Sequence, residues 1–316
     1  MKVLIYGSGA VGIAIAAALY DSGCQVDLKT SIQTKKAIDK VGIIRRGILR
    51  EINVKAGSVT TYNKLSEISN KKYDFILVCT KTISNIENAK ELSENTQILK
   101  PQGKIVLFQN GWGNDEPYLK FFSKDKIYSA RIITGFERPE LHISVVTVHA
   151  APLLIGSLHN ENLEAVIQLA TLIDLGGMPC EITTELGQAI WAKMLYNCTL
   201  NPLGAILNVS YGKLTKSKNS VFLMDNIIEE IFKVMRAAGF SSYWNNADDY
   251  KDEFYSKLLP VTYEHRSSTL QDIEKKMKTE IDSLTGSILR LGLKYNISVP
   301  YNTMVYNLIK AMESYF

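Results

Sequence analysis

Three polar side chains recur at helical spacing within an otherwise apolar segment in the second half of the chain. Lys193, Asn197 and Asn201 stand at i, i+4 and i+8, so a helix would place them on one face. Asparagine is a poor helix former, and a lysine flanked by tryptophan, methionine and leucine is costly to bury. The stripe therefore indicates a site for a polar ligand, with a buried structural network of amides as the alternative.

A second polar patch lies closer to the C-terminus and contains Ser268 and Glu280. For each residue a ligand contact and a structural role remain open. Ser268 could be a plain helix hydroxyl. Thr279 and Asp282 have the spacing of a capping box, so Glu280 could be an acid in the first turn of a helix.

A glycine-rich motif stands between an apolar strand pattern and an alanine-rich helical pattern at the start of the chain. Its residues are Gly7, Ser8, Gly9, Ala10, Val11 and Gly12. The glycines of a G-x-G-x-x-G motif allow a tight turn, close approach of the backbone to a pyrophosphate and close packing of helix on strand. Free N–H groups at the helix N-terminus then favour the phosphates. The motif predicts a dinucleotide site, with a merely structural turn as the alternative.

The end of the second predicted strand bears on the choice between NAD and NADP. Proteins that bind NAD usually carry Asp or Glu there to hold the ribose 2′-hydroxyl. Here Asp27 lies inside the strand, which ends in Lys29-Thr30-Ser31, and Lys35 and Lys36 follow soon after. Without a terminal carboxylate the loop tolerates a 2′-phosphate, so NADP is favoured. Alternatively, these lysines simply belong to a solvated loop.

Two further polar residues follow predicted strands. Lys81 comes after a strand that ends at Cys79, and Asn110 after a strand that ends at Phe108. Ligands of open α/β sheets bind outside the carboxyl ends of the strands. We therefore expect Lys81 and Asn110 to meet phosphate, ribose or substrate. The alternatives are a surface lysine and an ordinary Asn-Gly turn.

The hydrophobic pattern divides the chain into two parts. Strand patterns in the first part occur at residues 2–6, 24–28, 75–79, 104–108, 143–148 and 153–155. Because they alternate with helical patterns, they predict one doubly wound, mainly parallel α/β sheet, which the last two runs extend. Beyond residues 175–179 amphipathic helical patterns such as 221–238 predominate. We predict an α/β domain over residues 1–177 and an all-helical domain over 178–316.

Composition excludes several classes of function. The chain has 316 residues, of which 46% are hydrophobic and 22% charged, as is ordinary for a globular protein. Its net charge of +4 is too small to indicate binding to nucleic acid. Cysteines and histidines lack the spacing of disulfide scaffolds or zinc sites, so we expect no metal. No apolar run is long enough to cross a bilayer, and a strand pattern stands where a signal peptide would. We expect a cytoplasmic protein that acts on a small molecule.

Taken together, these residues resemble the ketopantoate reductase family (2-dehydropantoate 2-reductases) nearly end to end. The glycine motif is shared by many dehydrogenases, whereas the other landmarks are more specific. They are Gln109-Asn110-Gly111-Trp112-Gly113, Trp191-Ala192-Lys193 through Asn197 to Asn201-Pro202-Leu203, Ser267-Ser268-Thr269-Leu270-Gln271-Asp272, Thr279-Glu280-Ile281-Asp282, and Gly292-Leu293 through Val299-Pro300-Tyr301-Asn302-Thr303.

The resemblance implies a Rossmann domain followed by a helical domain of the 6-phosphogluconate dehydrogenase C-terminal type. It also implies NADPH-dependent reduction of the 2-oxo acid ketopantoate to pantoate in pantothenate and coenzyme A biosynthesis, and a homodimer. Lys193 would be the general acid. Asn110 would contact the nicotinamide ribose and the substrate, and Glu280 the cofactor or the substrate.

The resemblance also assigns the remaining site residues. Asn197, Asn201 and Ser268 would hold the hydroxyl and carboxylate of the substrate. To the glycine motif and Lys81, which we expect to bind the cofactor because of their places after strands, the resemblance adds backbone atoms of Phe136.

Three positions depart from the family pattern. Ser31 stands where the family carries a basic residue, so Lys29, Lys35 or Lys36 would have to meet the 2′-phosphate. Tyr211 replaces an asparagine that gives the substrate an amide. Thr134-Gly135-Phe136 replaces a His-Ala-Ala-like stretch whose backbone contacts the cofactor.

Two other functions remain possible. The departure at Tyr211 favours a paralogous reductase of another branched or bulkier 2-oxo acid. A non-catalytic binding protein that responds to NADP(H) would keep the fold without needing Lys193 as a proton donor.

Overall fold

Residues 2–182 build a sheet of eight strands in the computed structural model, which describes residues 1–316. This α/β unit comprises Met1–Gln109 and Asn114–Leu186, and a helical unit comprises Asn110–Gly113 and Gly187–Phe316. The strands of the α/β unit are β1 (Lys2–Tyr6), β2 (Gln25–Lys29), β3 (Ile43–Gly47), β4 (Ile52–Val54), β5 (Thr60–Tyr62), β6 (Tyr73–Val78), β7 (Leu99–Leu107), β8 (Ile127–Arg131), β9 (Thr134–Glu137), β10 (Ile143–His149), β11 (Leu153–Gly156) and β12 (Cys180–Ile182). Its helices are α1 (Ala10–Asp21), α2 (Ile32–Val41), α3 (Asn85–Ser93), α4 (Glu116–Leu119) and α5 (Glu164–Leu175).

The main sheet has the strand order β12-β11-β8-β7-β6-β1-β2-β5. All neighbouring pairs are parallel except β11 and β8. The carboxyl ends of β1, β2, β6 and β7 therefore lie along one edge, which we call the carboxyl edge. This arrangement confirms the predicted doubly wound, mainly parallel α/β fold.

Helix α1 is buried on all sides, and residues from Ile13 to Leu19 are all inaccessible to solvent. It packs on β1 and β2 of the main sheet, on α5, and on a second sheet with the order β4-β3-β10-β9. Such a helix needs small apolar residues all round rather than one apolar stripe, which explains its run of alanines.

The expectation that residues 143–148 extend the main sheet is wrong. This segment forms β10, which lies between β3 and β9 in the second sheet. Its parallel partner β3 lies far back along the chain, and a hydrophobic pattern does not identify a strand's partner. The other late run, around residues 153–155, does join the main sheet as β11.

The boundary between the units lies after Leu186 rather than at residues 177/178. The α/β unit continues because β12 pairs in parallel with β11. A second difference is that Asn110–Gly113 belongs to the helical unit, although it follows a strand of the main sheet.

The helical unit contains all the remaining α-helices. They are α6 (Leu186–Leu207), α7 (Lys218–Ala237), α8 (Ala247–Glu253), α9 (Ser268–Glu274), α10 (Thr285–Tyr295) and α11 (Pro300–Glu313). Helix α7 packs against α8, α10 and α11. None of the helices in the protein combines the length and the apolar character that crossing a membrane requires.

A buried carboxylate joins α7 to the start of α11. Glu230 is only 5% exposed and accepts hydrogen bonds from the backbone N–H groups of Tyr301 and Asn302, each at 2.9 Å. It also accepts one from Nδ2 of Asn302 at 2.8 Å. The first N–H groups of a helix have no partner within it, and the helix dipole favours an anion there. Glu230 therefore caps α11 from a neighbouring helix.

Replacing this cap should destabilise the protein. We expect Glu230→Gln to lower the free energy of unfolding by about 1–3 kcal/mol, because an amide cannot accept all the hydrogen bonds that the carboxylate accepts. Urea unfolding followed by circular dichroism measures the change. Glu229→Gln is the matched control, since Glu229 is 40% exposed and pairs with Lys251. The free energy of unfolding of Glu229→Gln should fall by less than about 1 kcal/mol. An equal fall in the two variants would contradict the capping role of Glu230.

Candidate active site

The glycine motif forms the turn between β1 and α1. Gly7 has a φ of +107°, and a Cβ there would lie 2.7 Å from the backbone nitrogen of Thr80. A Cβ on Gly12 would lie 2.0 Å from the carbonyl oxygen of Gly7. At Gly9 the nearest atom would be 3.9 Å away, so this position is open. The turn thus requires glycine at two positions and leaves its backbone accessible at the third.

At this turn one buried hydroxyl lacks a hydrogen-bond partner, and the start of α1 lacks a side-chain cap. Ser8 is 4% exposed, yet its hydroxyl has no hydrogen-bond partner. Helix α1 begins at Ala10 and Val11 without a capping side chain and without an acidic residue in its first turn. An uncapped helix N-terminus beside an unsatisfied hydroxyl suits a phosphate. The motif therefore fits the pyrophosphate of a dinucleotide.

The one carboxylate of β2 is committed elsewhere. Asp27 is 1% exposed, and its Oδ2 accepts hydrogen bonds from the Tyr73 hydroxyl at 2.7 Å and from Nζ of Lys71 at 2.8 Å. Burial, together with this hydrogen bond, raises the pKa of Tyr73, so the phenol remains a donor. Asp27 therefore cannot hold the ribose hydroxyl that an acid at the strand end would hold.

Two of the three lysines expected to meet a 2′-phosphate are ion-paired. Lys29 lies 3.0 Å from a carboxylate oxygen of Glu91, and Lys35 lies 2.7 Å from one of Asp39. Lys36 is exposed on α2. Their charges are thus compensated or solvated rather than gathered at the end of β2.

The other residues of the α/β unit that are predicted to bind the cofactor lie at different sheets. Lys81 precedes a short 3-10 turn after β6 and is half-exposed at the carboxyl edge. Phe136 lies in β9, at the edge of the second sheet, and packs against the core that includes α1. Gln109, for which the sequence predicts no role, donates from Nε2 to the Thr80 carbonyl at 2.9 Å and to Oδ1 of Asn85 at 2.7 Å. It ties the end of β7 to the end of β6.

The segment after Gln109 is held by the helical unit. Gly111 has a φ of +102°, and a Cβ there would lie 2.2 Å from the carbonyl oxygen of Ser283. The Trp112 N–H donates to that same carbonyl at 2.9 Å. The Ser283 hydroxyl in turn donates to the Asn110 carbonyl at 3.2 Å. The Asn-Gly pair is therefore more than an ordinary turn, because only glycine allows this close approach.

Aromatic packing reinforces this anchoring. The ring centroid of Trp112 lies 5.2 Å from that of Trp191 and 4.6 Å from that of Phe240. The ring centroids of Trp191 and Phe240 lie 5.5 Å apart. Trp191 is fully buried and stands on α6, two positions before Lys193. The cluster therefore holds the Asn110 segment beside the predicted polar stripe.

Lys193, Asn110 and Glu280 form a hydrogen-bonded chain. Nζ of Lys193 donates to Oδ1 of Asn110 at 2.5 Å, and Nδ2 of Asn110 donates to Oε2 of Glu280 at 3.3 Å. All three residues are partly exposed, so a ligand can reach them. Glu280 is not in the first turn of a helix, since α10 starts at Thr285 with Leu284 as its N-cap. The capping-box alternative for Glu280 is therefore wrong.

The rest of the polar stripe lies on α6 as the spacing predicts. Asn197 is half-buried, whereas Asn201 is 3% exposed and accepts a hydrogen bond at Oδ1 from the Tyr211 hydroxyl at 2.5 Å. Burial raises the pKa of Tyr211, which keeps its hydroxyl protonated as the donor. Tyr211 therefore occupies the amide oxygen of Asn201.

Of the two adjacent serines, Ser267 contacts this stripe, although the sequence predicts a site role only for Ser268. Ser268 is the exposed first residue of α9. Its neighbour Ser267 is fully buried, caps α9 by accepting from the Leu270 N–H at 3.0 Å, and donates to the Asn201 carbonyl at 3.2 Å. A serine immediately before a helical pattern is an N-cap signal, which points to Ser267 as the buried one of the pair.

Family models and curated relatives match the chain across both units. The ketopantoate reductase PanE/ApbA model matches residues 3–160, and the ketopantoate reductase PanE/ApbA C-terminal model matches residues 185–313. The chain is 33% identical to the 2-dehydropantoate 2-reductase of Aquifex aeolicus, over 99% of this chain and 97% of that protein. It is 28% identical to the 2-dehydropantoate 2-reductase of Pyrococcus horikoshii, over 99% and 98%.

Solved structures are similar in fold over nearly the whole chain. A PanE/ApbA family ketopantoate reductase from Ralstonia eutropha has a TM-score of 0.85 at 25% identity and covers 99% of both chains. D-mandelate dehydrogenase with NADH and anilino(oxo)acetate has a TM-score of 0.87 at 23% identity, covering 99% of this chain and 98% of that one. Because matching models cover both units and a relative is 33% identical throughout, the chain belongs to the ketopantoate reductase family.

Proposed function

We propose that the chain is a 2-dehydropantoate 2-reductase, which reduces ketopantoate to pantoate with NADPH in pantothenate biosynthesis. The observation that carries the proposal is the ammonium of Lys193, held 2.5 Å from the Asn110 amide oxygen in a partly exposed position. Full-length relatives named 2-dehydropantoate 2-reductase support the choice of substrate.

The glycine motif supports a nicotinamide dinucleotide as cofactor. In this proposal Gly7, Gly9 and Gly12 shape the turn for the pyrophosphate, Ser8 donates to it, and Lys81 and the Phe136 backbone complete the binding. When bound, the dinucleotide supplies a hydride to the ketone carbon. The absence of a free carboxylate at the end of β2 favours NADPH over NADH.

Lys193 serves as the general acid in this proposal. Reduction of a ketone places negative charge on its oxygen, which must then gain a proton. An ammonium beside that oxygen stabilises the charge and supplies the proton. The Asn110 amide holds Nζ of Lys193 at one point, and Glu280 in turn holds the other side of that amide. In this proposal Asn110 and Glu280 orient the acid, and both also contact the cofactor or the substrate.

Asn197, Asn201 and Ser268 bind the hydroxyl and carboxylate of the substrate in this proposal. A specific observation also favours a second candidate function, reduction of another 2-oxo acid. Tyr211 occupies Oδ1 of Asn201. If Oδ1 of Asn201 is the acceptor for the hydroxyl of ketopantoate, a 2-oxo acid without this hydroxyl would lose less binding energy at the site than ketopantoate does.

Removing the ammonium should abolish turnover but not cofactor binding. We expect Lys193→Met to lower kcat with ketopantoate by about 10²- to 10⁴-fold, the usual contribution of general acid catalysis. Loss of NADPH absorbance measures kcat, and quenching of tryptophan fluorescence measures NADPH binding, which should persist. Lys233→Met is the control, since Lys233 is exposed on α7. Wild-type kcat in Lys193→Met would contradict the role of Lys193. Wild-type protein that binds NADPH yet reduces no 2-oxo acid would favour a non-catalytic binding protein.

Substitution at Tyr211 separates the two candidate substrates. If the enzyme acts on another 2-oxo acid, Tyr211→Asn should raise kcat/KM for ketopantoate by up to about tenfold, because it frees an acceptor for one neutral hydrogen bond. The comparison substrate is the 2-oxo acid of the same carbon skeleton without the hydroxyl, which should gain nothing. Tyr211→Phe keeps the ring and removes only the hydroxyl, so it controls for the change in volume. Wild-type preference for ketopantoate without a gain in either variant would support ketopantoate as the substrate.

A further inference from the structure

The end of β2 adjoins the glycine turn. The N–H of Gly7 donates to the carbonyl of Lys29 at 2.9 Å, so the last residue of β2 lies directly beside the turn. Helix α2 begins just beyond, with Ser31 as its N-cap. In dinucleotide-binding folds the adenosine ribose lies at this strand end. A 2′-phosphate on that ribose would therefore lie near the first turn of α2.

The chain brings a distant arginine to this turn. Nη2 of Arg138 donates to the Thr34 hydroxyl at 3.0 Å and to the Leu141 carbonyl at 2.6 Å. Thr34 is 3% exposed in the first turn of α2, and it also accepts a hydrogen bond from the Ser31 hydroxyl at 3.1 Å. Arg138 follows β9 of the second sheet and is 104 residues from Thr34 in sequence. Its guanidinium thus lies beside the N-terminus of α2.

Arg138 differs from the neighbouring lysines in the charge that surrounds it. Lys29 and Lys35 are paired with carboxylates, whereas Arg138 forms no ion pair and contacts only neutral oxygens. Its Nε is buried without a partner. Burial also lowers the pKa of its guanidinium, which shows that the charge is poorly solvated. A partly buried cation without a counter-charge is costly, and an anion at this position would offset that cost.

We infer that Arg138 binds the 2′-phosphate of NADPH, together with the N–H groups at the start of α2. A guanidinium presents paired donors that match phosphate oxygens, and a helix N-terminus adds a favourable dipole. The inference rests on the proposed function, because it assumes that the glycine motif binds a nicotinamide dinucleotide. It assigns the recognition of NADPH to a residue from the second sheet rather than to a lysine that follows β2.

Dissociation constants of NADPH and NADH, measured by tryptophan fluorescence and by calorimetry, test the inference without any substrate. We expect Arg138→Gln to weaken NADPH binding by about 10- to 100-fold, the usual range for a charged hydrogen bond, while NADH binding stays unchanged. Arg138→Lys keeps the charge but loses the paired donors, so it should weaken NADPH binding less. Lys40→Gln removes an exposed charge from the last turn of the same helix and should leave both constants unchanged.

Each outcome of this test decides the inference. Unchanged NADH binding shows that Arg138→Gln is folded, so a selective loss of NADPH affinity would support the assignment. An equal loss of both affinities would mean that Arg138 only ties β9 to α2, and would overturn it. Wild-type protein that binds NADH as well as NADPH would also overturn it, yet would leave the reductase proposal intact. Wild-type protein that binds neither dinucleotide would overturn both.

Discussion

One side-chain amide, that of Asn110, joins the charged parts of the candidate site. An amide carries an acceptor and a donor on opposite arms, so it can meet an ammonium and a carboxylate at the same time. Asn110 does this with Lys193 and Glu280, which come from distant parts of the chain. Its own position depends on Gly111, whose close approach to Ser283 no other residue could make. The position of the proposed acid therefore rests on a short segment that follows a strand but belongs to the helical unit.

The proposed dinucleotide site at the glycine turn depends on a separate constraint, the burial of α1. Two sheets and α5 cover this helix, so its residues must be small and it has little room to shift. The glycine turn leads directly into α1, and a Cβ at Gly12 would collide with the carbonyl of Gly7. The free N–H groups at the start of α1 are thus held in place before any ligand binds. Preorganised donors bind phosphate at a lower cost in entropy than mobile ones.

Local patterns predict the parts of the site that lie within one element. The glycine motif and the stripe of Lys193, Asn197 and Asn201 follow from spacing alone, and the fold class follows from the alternation of strands and helices. Contacts between distant segments carry no such signal. Nothing in the strand pattern of residues 143–148 indicates β3 as its partner, and nothing in the composition of Asn110–Gly113 assigns that segment to the helices. Pairing and packing across the chain decide these features.

The charges and hydrogen-bonding groups that a ligand can use also depend on contacts between distant segments, which local patterns do not predict. Lys29 and Lys35 stand where the sequence suggests a phosphate site, yet Glu91 and Asp39 compensate them. Arg138 carries no signal in the sequence, yet it lies beside the start of α2 without a counter-charge. Asn201 keeps its place in the polar stripe, but Tyr211 occupies its acceptor. The charged and hydrogen-bonding groups available to a ligand are therefore those that neighbouring side chains leave unsatisfied. Because those neighbours come from distant segments, specificity for cofactor and substrate is a property of the folded chain.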